Sequence, residues 1–532
     1  MYQRITFCLF ILIGLSVNAQ VVHLDQTHQT MAGFGINNNW APALTAAVAD
    51  SLFDSTRGLG LSILRIGMGS NGEAFNGSSW NDIKLAQARG LKYVIGSAWT
   101  PPASWKTNGS ENDGGYLLPQ YYGQWSDRLA AFPAKVKIGS GMDLYAMSLG
   151  NEPDFASCGM TEPCNGNYPT TLMNDTQMVN FIKVAGPKIH AAGCRVMAPE
   201  ASEWLHTWSD SSACCSEPSG RPSSNPLHGQ GYDYGHALYK DTAAWNQLDI
   251  LGVHQYDSQI AEPWPSDVPA RKPVWQTEMS GVKWWPEQGP SSDINNGVAC
   301  AGWFHNALTV GEANGWCWWW WQATGSTNEG LLLSNGTNTK RHYTFGNYSR
   351  FVRPGYIRVD ITGTIPANVL LSAYKGNGKV VIVAINKNTA TATVPITISG
   401  GTATSLTPYL TSASANLAAQ TAVAVSGGSF TATLAATSVT TFVGAFTTAV
   451  LNNTVGKNTV HPVMLSYKAG CLFFSSPLPD GTTLALYDLS GQMIFKTVAQ
   501  GTSIRLPLQA DRVALWRVEH PKLIASGRVL FR

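Results

Sequence analysis

Between residues 33 and 345 the sequence predicts a (β/α)8 barrel, on three observations. Short apolar runs alternate with amphipathic stretches, eight such runs occur, and two of them close on a glutamate. Strand-period and helix-period patterns that alternate over a span of this length indicate parallel strands joined by helical crossovers. An acid closing a buried strand fits the C-terminal rim of such a barrel, where active sites lie. Elsewhere it would be out of place, because Asp and Glu are almost never fully buried without a partner.

The strand candidates are, in order, "GFGI" (33–36), "LSILRIG" (61–67), "LKYVIGSAW" (91–99) and "LYAMSLGNEP" (144–153). They continue with "CRVMAPEA" (194–201), "LDILGVHQY" (248–256), "PVWQTEMSG" (273–281) and "GWCWWWW" (315–321). Helical patterns lie between them, such as "DIKLAQARG" (82–90) and "TQMVNFIKVAGPKIHAAG" (176–193). Glu152 then ends the fourth strand and Glu278 the seventh, so two acids distant in sequence face one another across the mouth. The same rim is expected to receive Trp99, Glu200, His254, Tyr256, Trp316 and the run Trp318 to Trp321.

Two carboxyls in an aromatic bowl suit glycosidic bond cleavage. One protonates the leaving oxygen while the other attacks the anomeric carbon or activates water. A separation of about 5–5.5 Å predicts retention of configuration, and about 6.5–9.5 Å predicts inversion. The competing reading is that each acid simply pairs with a rim arginine or lysine.

The rest of the chain is organised around that barrel. Its 532 residues exceed one compact core and point to two or three domains. A net charge of +2 argues against nucleic acid or an anionic membrane as the main partner. "MYQR" followed by "ITFCLFILIGLSV" and "VNA" reads as a signal peptide over residues 1–19, so export is expected. No other run approaches the length of a membrane span. Removal of the leader takes Cys8. Cys158 and Cys164 flank "GMTEP" and could close a small disulfide loop, while Cys194, Cys300 and Cys317 sit in apolar patterns that suit buried thiols equally well. Vicinal Cys214 and Cys215 are ambiguous, and cysteine spacing gives no zinc signature. No metal or cofactor is expected, and nothing demands more than a monomer.

Residues 346–447 alternate Val, Ile, Thr and Ala, as in "VVIVAIN" and "ATATVPITIS", between turn signals such as "GNG". That pattern predicts a β-sandwich, either a glycan binder or a buttress to the barrel. Residues 20–32, with "VVHLDQTHQT", alternate as a strand does. "TTAVLNNTVGKNTVH" lies around 448–462 and reads as a linker. Residues 463–532 form a small all-β module.

Several of these stretches resemble glycoside hydrolase family 30. The resemblance is carried by "GFGINNNW", "LSILRIG", "SAWTPPASWKTNG", "LYAMSLGNEPDF", "VWQTEMSG" and "TKRHYTFGNYSRFVRPGYIRVD". "LSAYKGNGKVVIVAINK" and "TSVTTFVG" are most similar to its bacterial glucuronoxylanase branch, and the likeness runs in order from about residue 20 to 445. The resemblance implies that Glu152 is the acid/base and Glu278 the nucleophile of a retaining mechanism on xylan. It implies that Asn151 binds the sugar 2-OH and that Tyr256 lies by the nucleophile. It implies too that residues 20–32 complete the sandwich. Trp99, Trp319 and Trp40 would wall the sugar subsites. The C-terminal "YDLSGQ" and its closing basic strand resemble a type IX secretion sorting domain, which implies a secretion machinery as partner; the other reading is a small carbohydrate-binding or spacer module.

The sequence also departs from that branch. Gln322 and Ala323 stand where its glucuronate-gripping arginine pair would follow the aromatic run, and Ser280 and Gly281 replace tyrosines after the nucleophile. A guanidinium forks onto a carboxylate as glutamine cannot. The expectation is therefore a xylan endohydrolase without strict need of glucuronate branches. A family 30 hydrolase of another β-linked glycan or glycolipid is the alternative, and a non-catalytic glycan binder is a third reading.

Overall fold

The computed structural model describes residues 19–112, 114–155, 168–208, 232–256, 260, 262–280, 293–323, 329–448, 465–468, 471–487, 493–505, 513–520 and 523–530. They fall into two compact units divided between residues 449 and 450.

The first unit begins with β1 (Gln20–Thr30), after which the barrel strands follow: β2 (Gly33–Asn37), β3 (Ile63–Met68), β4 (Tyr93–Ala98), β5 (Leu144–Ser148), β6 (Arg195–Ala201), β7 (Ile250–His254), β8 (Val274–Glu278) and β9 (Gly315–Gln322). All neighbours pair in parallel, and β8 pairs with β9 while β9 pairs with β2, which closes the ring. The interior base is filled by Ile63, Ile95, Ala146, Met197, Ile250, Trp275 and Cys317, all buried. Apolar side chains on both faces are what a parallel barrel demands, so these strands read as continuous hydrophobic runs.

Helices cover the outside: α1 (Ala46–Phe53), α2 (Ser79–Gln87), α3 (Tyr122–Ser140), α4 (Asp175–Ala191), the short α5 (Leu205–Trp208), α6 (Tyr234–Lys240) and α7 (Thr242–Gln247), then α8 (Ile294–Thr309) and α9 (Lys340–Ser349). Local sequence fixes their ends. Asn174 and Gln177 form a reciprocal capping box at the start of α4. Gly141, at φ 84°, takes the left-handed turn that ends α3. The inner faces of these helices carry residues such as Leu129, Phe132, Phe181, Ile182 and Phe304, all buried in the main core.

The side domain is one ten-stranded sheet by hydrogen bonding. β1 lies inside it, antiparallel to β11 (Ile357–Thr362) and parallel to β14 (Ala392–Ser399), after the short parallel strand β10 (Gly330–Leu332) at the barrel edge and before β12 (Val369–Gly376) and β13 (Lys379–Asn386). The sheet curls on itself into a sandwich: Phe430 and Phe442, from strands far apart on the pairing path, meet with ring centroids 5.4 Å apart. Alternation serves two cores here. Val380, Ile382 and Ala384 of β13 face the sandwich interior, whereas Val381, Val383 and Ile385 join the barrel core with Phe345 and Tyr348 of α9. One strand thus welds the two layers together.

The second unit is a five-stranded antiparallel sheet built from Leu465–Lys468, Cys471–Tyr487, Met493–Arg505, Val513–His520 and Leu523–Leu530. Leu472, Leu484, Leu486 and Val518 are among its fully buried side chains. Among the described residues no helix is long and apolar enough to cross a membrane. Cys194, Cys300 and Cys317 are buried thiols, and burial pushes the Cys194 thiol up to about 12. Cys158, Cys164, Cys214 and Cys215 lie outside the described residues, as does the leader up to residue 18.

Candidate active site

Glu278 is the last residue of β8, and its carboxylate sits at the C-terminal mouth with 2% exposure. Glu152 differs from the sequence expectation in one respect. β5 ends at Ser148, so Glu152 lies four residues beyond the strand, in a turn with φ 46°. Its backbone N–H donates to the Glu200 carbonyl at 3.0 Å, and Glu200 itself has φ 59°. Left-handed backbone at a long side chain is strained and persists only where its surroundings fix it. Here Asp154 supplies the fixing: its carboxylate accepts from the Ser202 N–H at 2.9 Å and hydroxyl at 2.8 Å, and pairs with His206 Nδ1 at 2.5 Å. The loops after β5 and β6 are clamped together beneath the two acids.

Arg65, fully buried on β3, organises the centre of the mouth. Nη1 donates to Glu278 Oε2 at 2.7 Å and to Asn37 Oδ1 at 2.8 Å. Nη2 donates to Asn151 Oδ1 at 2.7 Å and to Ser97 Oγ at 3.1 Å, and Nε donates to Glu200 Oε1 at 3.1 Å. The guanidinium also lies 4.8 Å from the Trp99 ring centroid. A buried charge survives only when paired and hydrogen-bonded, and every donor of this one is engaged.

The other groups divide between the two acids. Tyr256 donates its hydroxyl to Glu278 Oε1 at 2.7 Å. His254, also buried, hydrogen-bonds Glu152 Oε1 through Nδ1 at 2.9 Å, while its Nε2 lies 3.9 Å from Glu278 Oε2 and 4.0 Å from Glu200 Oε1. One oxygen of Glu152, one of Glu278 and a ring nitrogen of His254 all fall within 4.8 Å of one another. Such a trio could chelate a cation, but the Arg65 guanidinium already supplies positive charge at Glu278.

Burial raises Glu278 above the usual carboxylate range, and the Glu152 charge adds to it, against the pull of His254, Arg65 and Tyr256. Burial works the same way on Glu200, yet the charges of Arg65 and His254 and the hydrogen bonds from Arg65 and Ser97 together outweigh it and hold that carboxyl low. Burial lowers His254 below its ordinary value, against the pull of the Glu278 and Glu200 charges. Burial lifts the Tyr256 and Tyr168 hydroxyls well above their ordinary value, and both keep their protons.

An aromatic wall surrounds the acids. Trp40, at φ 55°, packs on Trp99, Trp319, Phe75 and Tyr168, with centroids 4.6–6.0 Å apart. Asn151 Nδ2 and Trp99 Nε1 both donate to the Tyr168 hydroxyl at 3.2 Å. All seven site residues singled out in the sequence therefore meet at one mouth: Trp40, Trp99, Asn151, Glu152, Tyr256, Glu278 and Trp319. The expectation for the rest of the tryptophan run needs correction. Trp316 and Trp318 point away from the mouth and are fully buried beneath α8 and α9, Trp316 against Phe304 and Phe345. Strand alternation sends them outward and turns Trp319 inward with Cys317, and a bulge then sets Trp318 opposite Ile36 but Trp320 opposite Asn37. Tyr168 and Arg65 were not singled out. The signal for Arg65 was a lone arginine in the middle of "LSILRIG", a buried charge in search of carboxylates.

The chain is 31% identical over 449 residues to glucuronoxylanase XynC of Bacillus subtilis strain 168, covering 81% of this chain and 92% of that one. It is 32% identical to the solved family 30 endoxylanase of Clostridium papyrosolvens C71, across 80% of this chain and all of that one, with TM-score 0.64. The chain belongs to glycoside hydrolase family 30. A second solved member, the subfamily 8 xylanase Xyn30A of Clostridium acetobutylicum, gives 28% identity and TM-score 0.66 over the same 80% of the chain. No protein-family model matches the sequence. As a family 30 member the protein is a glycoside hydrolase, and the barrel with its attached β-domain is the fold its solved relatives share.

Proposed function

We propose that the protein is an exported, retaining endo-β-1,4-xylanase in which Glu278 is the nucleophile and Glu152 the acid/base. The observation that carries this reading is the approach of the two carboxylates, one oxygen of each lying within 4.8 Å of the other. That separation is too small for the intervening water an inverting enzyme places between its acids and suits direct attack. Glu278 Oε attacks the anomeric carbon as the glycosidic C–O bond breaks, and Glu152 gives its proton to the departing oxygen. Glu152 then takes a proton from water, whose oxygen displaces Glu278 from the same carbon. The Tyr256 and Arg65 donors hold the Glu278 oxygens in place for attack. His254, bonded to Glu152 through Nδ1, holds that carboxyl in place as it gives and takes its proton.

The named activities of the Bacillus and Clostridium relatives support xylan as the substrate. Departure from the arginine pair of the glucuronoxylanase branch supports a relaxed requirement for uronic acid. Gln322 spends its amide on the Ser334 carbonyl at 2.9 Å, and Ala323 is buried with no polar side chain to offer. Neither can fork onto a carboxylate. The apolar leader and the separate C-terminal β-unit support export through a sorting machinery; recovery of extracellular protein with the tail intact would argue for a glycan-binding tail instead.

Incubation with glucuronoxylan, arabinoxylan and linear xylooligosaccharides, with products identified by mass, tests the substrate reading. Cleavage of all three is expected. Cleavage of glucuronoxylan alone would overturn uronate independence, and inactivity on all three would overturn xylan in favour of another β-glycan.

A further inference from the structure

Glu200 is the third carboxylate of the mouth, and the double-displacement chemistry above gives it no task. Yet it has the features of a functional group. It is fully buried, adopts a left-handed backbone, and its two oxygens take Arg65 Nε and Nη2, each at 3.1 Å. The Ser97 hydroxyl donates to the same carboxylate. Of the eight non-glycine residues with positive φ among the described residues, Glu200 joins Trp40 and Glu152 at this one mouth. A residue that merely neutralised Arg65 would not need a strained backbone or a serine donor of its own.

We propose that Glu200 is a positioning residue that shares the Arg65 charge with Glu278 and so keeps Glu278 a strong nucleophile. This inference rests on Glu278 being the nucleophile. With Glu200 and Glu278 both ionised, one guanidinium serves two acids. When Glu278 bonds to the anomeric carbon it loses its charge, and the Arg65–Glu200 pair remains balanced without rearrangement. Release of the sugar returns the negative charge to Glu278 beside an Arg65 that has not moved. Remove the charge of Glu200 and Arg65 belongs to Glu278 alone, which makes Glu278 a weaker base for attack and a better leaving group. The charged or titratable groups facing Glu278 are Arg65, Tyr256, His254, Glu152 and Tyr168. Those facing Glu200 are Arg65, His254 and the buried Cys317 beneath.

The test uses the full-length protein and an activated aryl xylobioside, whose turnover separates attack from hydrolysis of the intermediate. In Glu200→Gln the acid limb of kcat/KM is expected to move down by about one pH unit, as when a carboxylate gains sole use of a neighbouring cation. The rate of attack falls at least about tenfold while hydrolysis of the intermediate is unchanged or faster, since proton affinity and nucleophilicity fall together. Glu200→Asp, which keeps the charge, restores the limb toward its original position. Ser97→Ala removes a competing donor from Glu200, strengthens its hold on Arg65 and moves the limb up. It serves as the readout if Glu200→Gln does not fold. Equal loss in both steps with an unmoved limb, or an unmoved limb in Ser97→Ala, would overturn the proposal. Labelling of the unaltered protein with a 2-deoxy-2-fluoro-xylobioside separates the two levels: a label on Glu278 leaves only the Glu200 role at stake, and a label elsewhere overturns both.

Discussion

At the scale of single residues the two acids stand in unequal settings, and the difference predicts unequal mutants. Glu152 serves proton transfer alone, to the departing oxygen and then from water, so Glu152→Gln should slow hydrolysis of xylan by roughly 10²–10⁴-fold, the usual worth of a positioned general acid or base. With an aryl leaving group that needs no proton, attack should survive and the glycosyl-enzyme should accumulate as a burst; absence of a burst with uniform loss would contradict the assignment. Tyr256 donates to Glu278 Oε1 and thereby favours its ionised form. A hydrogen bond to a charged group is worth roughly 1.5–3 kcal/mol. Tyr256→Phe should therefore raise the Glu278 carboxyl further and shift the acid limb of kcat/KM upward by about one pH unit, since activity is lost as pH falls through that value. An acid limb that stays in place in Tyr256→Phe would mean the hydrogen bond is not made in the working enzyme. The position of Glu278 was legible because an acid closed an apolar strand. The left-handed turn at Glu152 was not, because nothing in "LGNEPDF" distinguishes a strand end from the strained turn that follows it.

At the scale of elements, β9 shows where pattern reading fails. "GWCWWWW" offers tryptophans to both faces, and composition alone could not tell which of them meet substrate. The pleat assigns Trp316 and Trp318 to the helix-facing core and turns Trp319 toward Trp40, while the bulge opposite Ile36 and Asn37 shifts the register of Trp320. A bulge is a backbone event that leaves no residue-type signature here. The two classes should respond differently to truncation. Trp316→Ala removes a fully buried ring packed on Phe304 and Phe345 and should cost about 3–5 kcal/mol of stability, seen as a lowered denaturation midpoint. Trp40→Ala, at a partly exposed position on the bowl, should raise KM for xylooligosaccharides with a much smaller loss of stability. If Trp316→Ala proved as stable as the parent while KM rose, Trp316 would belong to the bowl after all. The barrel strands themselves were legible one by one, because a parallel strand buried on both faces leaves a continuous apolar run, and helices such as α1, α4 and α8 carry their own side-chain caps.

At the scale of the whole molecule, the barrel and the side sheet share one core through β13, and two buried histidines stand in or beside that junction. His305 of α8 and His342 of α9 are held neutral by burial, at about 4 and about 3 respectively. Their unfolded values lie near 6.5. Both native values are depressed, so above pH 6.5 neither state binds the proton and the histidines are silent. As pH falls below 6.5 the unfolded chain takes up protons that the native protein refuses, and stability drops by about 1.4 kcal/mol per pH unit for each histidine until its native value is reached. The loss thus develops between about pH 6.5 and 4 for His305, and continues toward 3 for His342. Thermal midpoints measured across that window should fall, and His342→Gln should flatten the slope by about half. Because both residues stand in the first unit, a chain ending at residue 449 should show the same slope and the same hydrolysis of xylooligosaccharides as the full protein. A full-length protein whose midpoint is flat from pH 6.5 to 4 would mean that water or a counter-charge reaches these rings, and that the junction between barrel and sheet opens in solution.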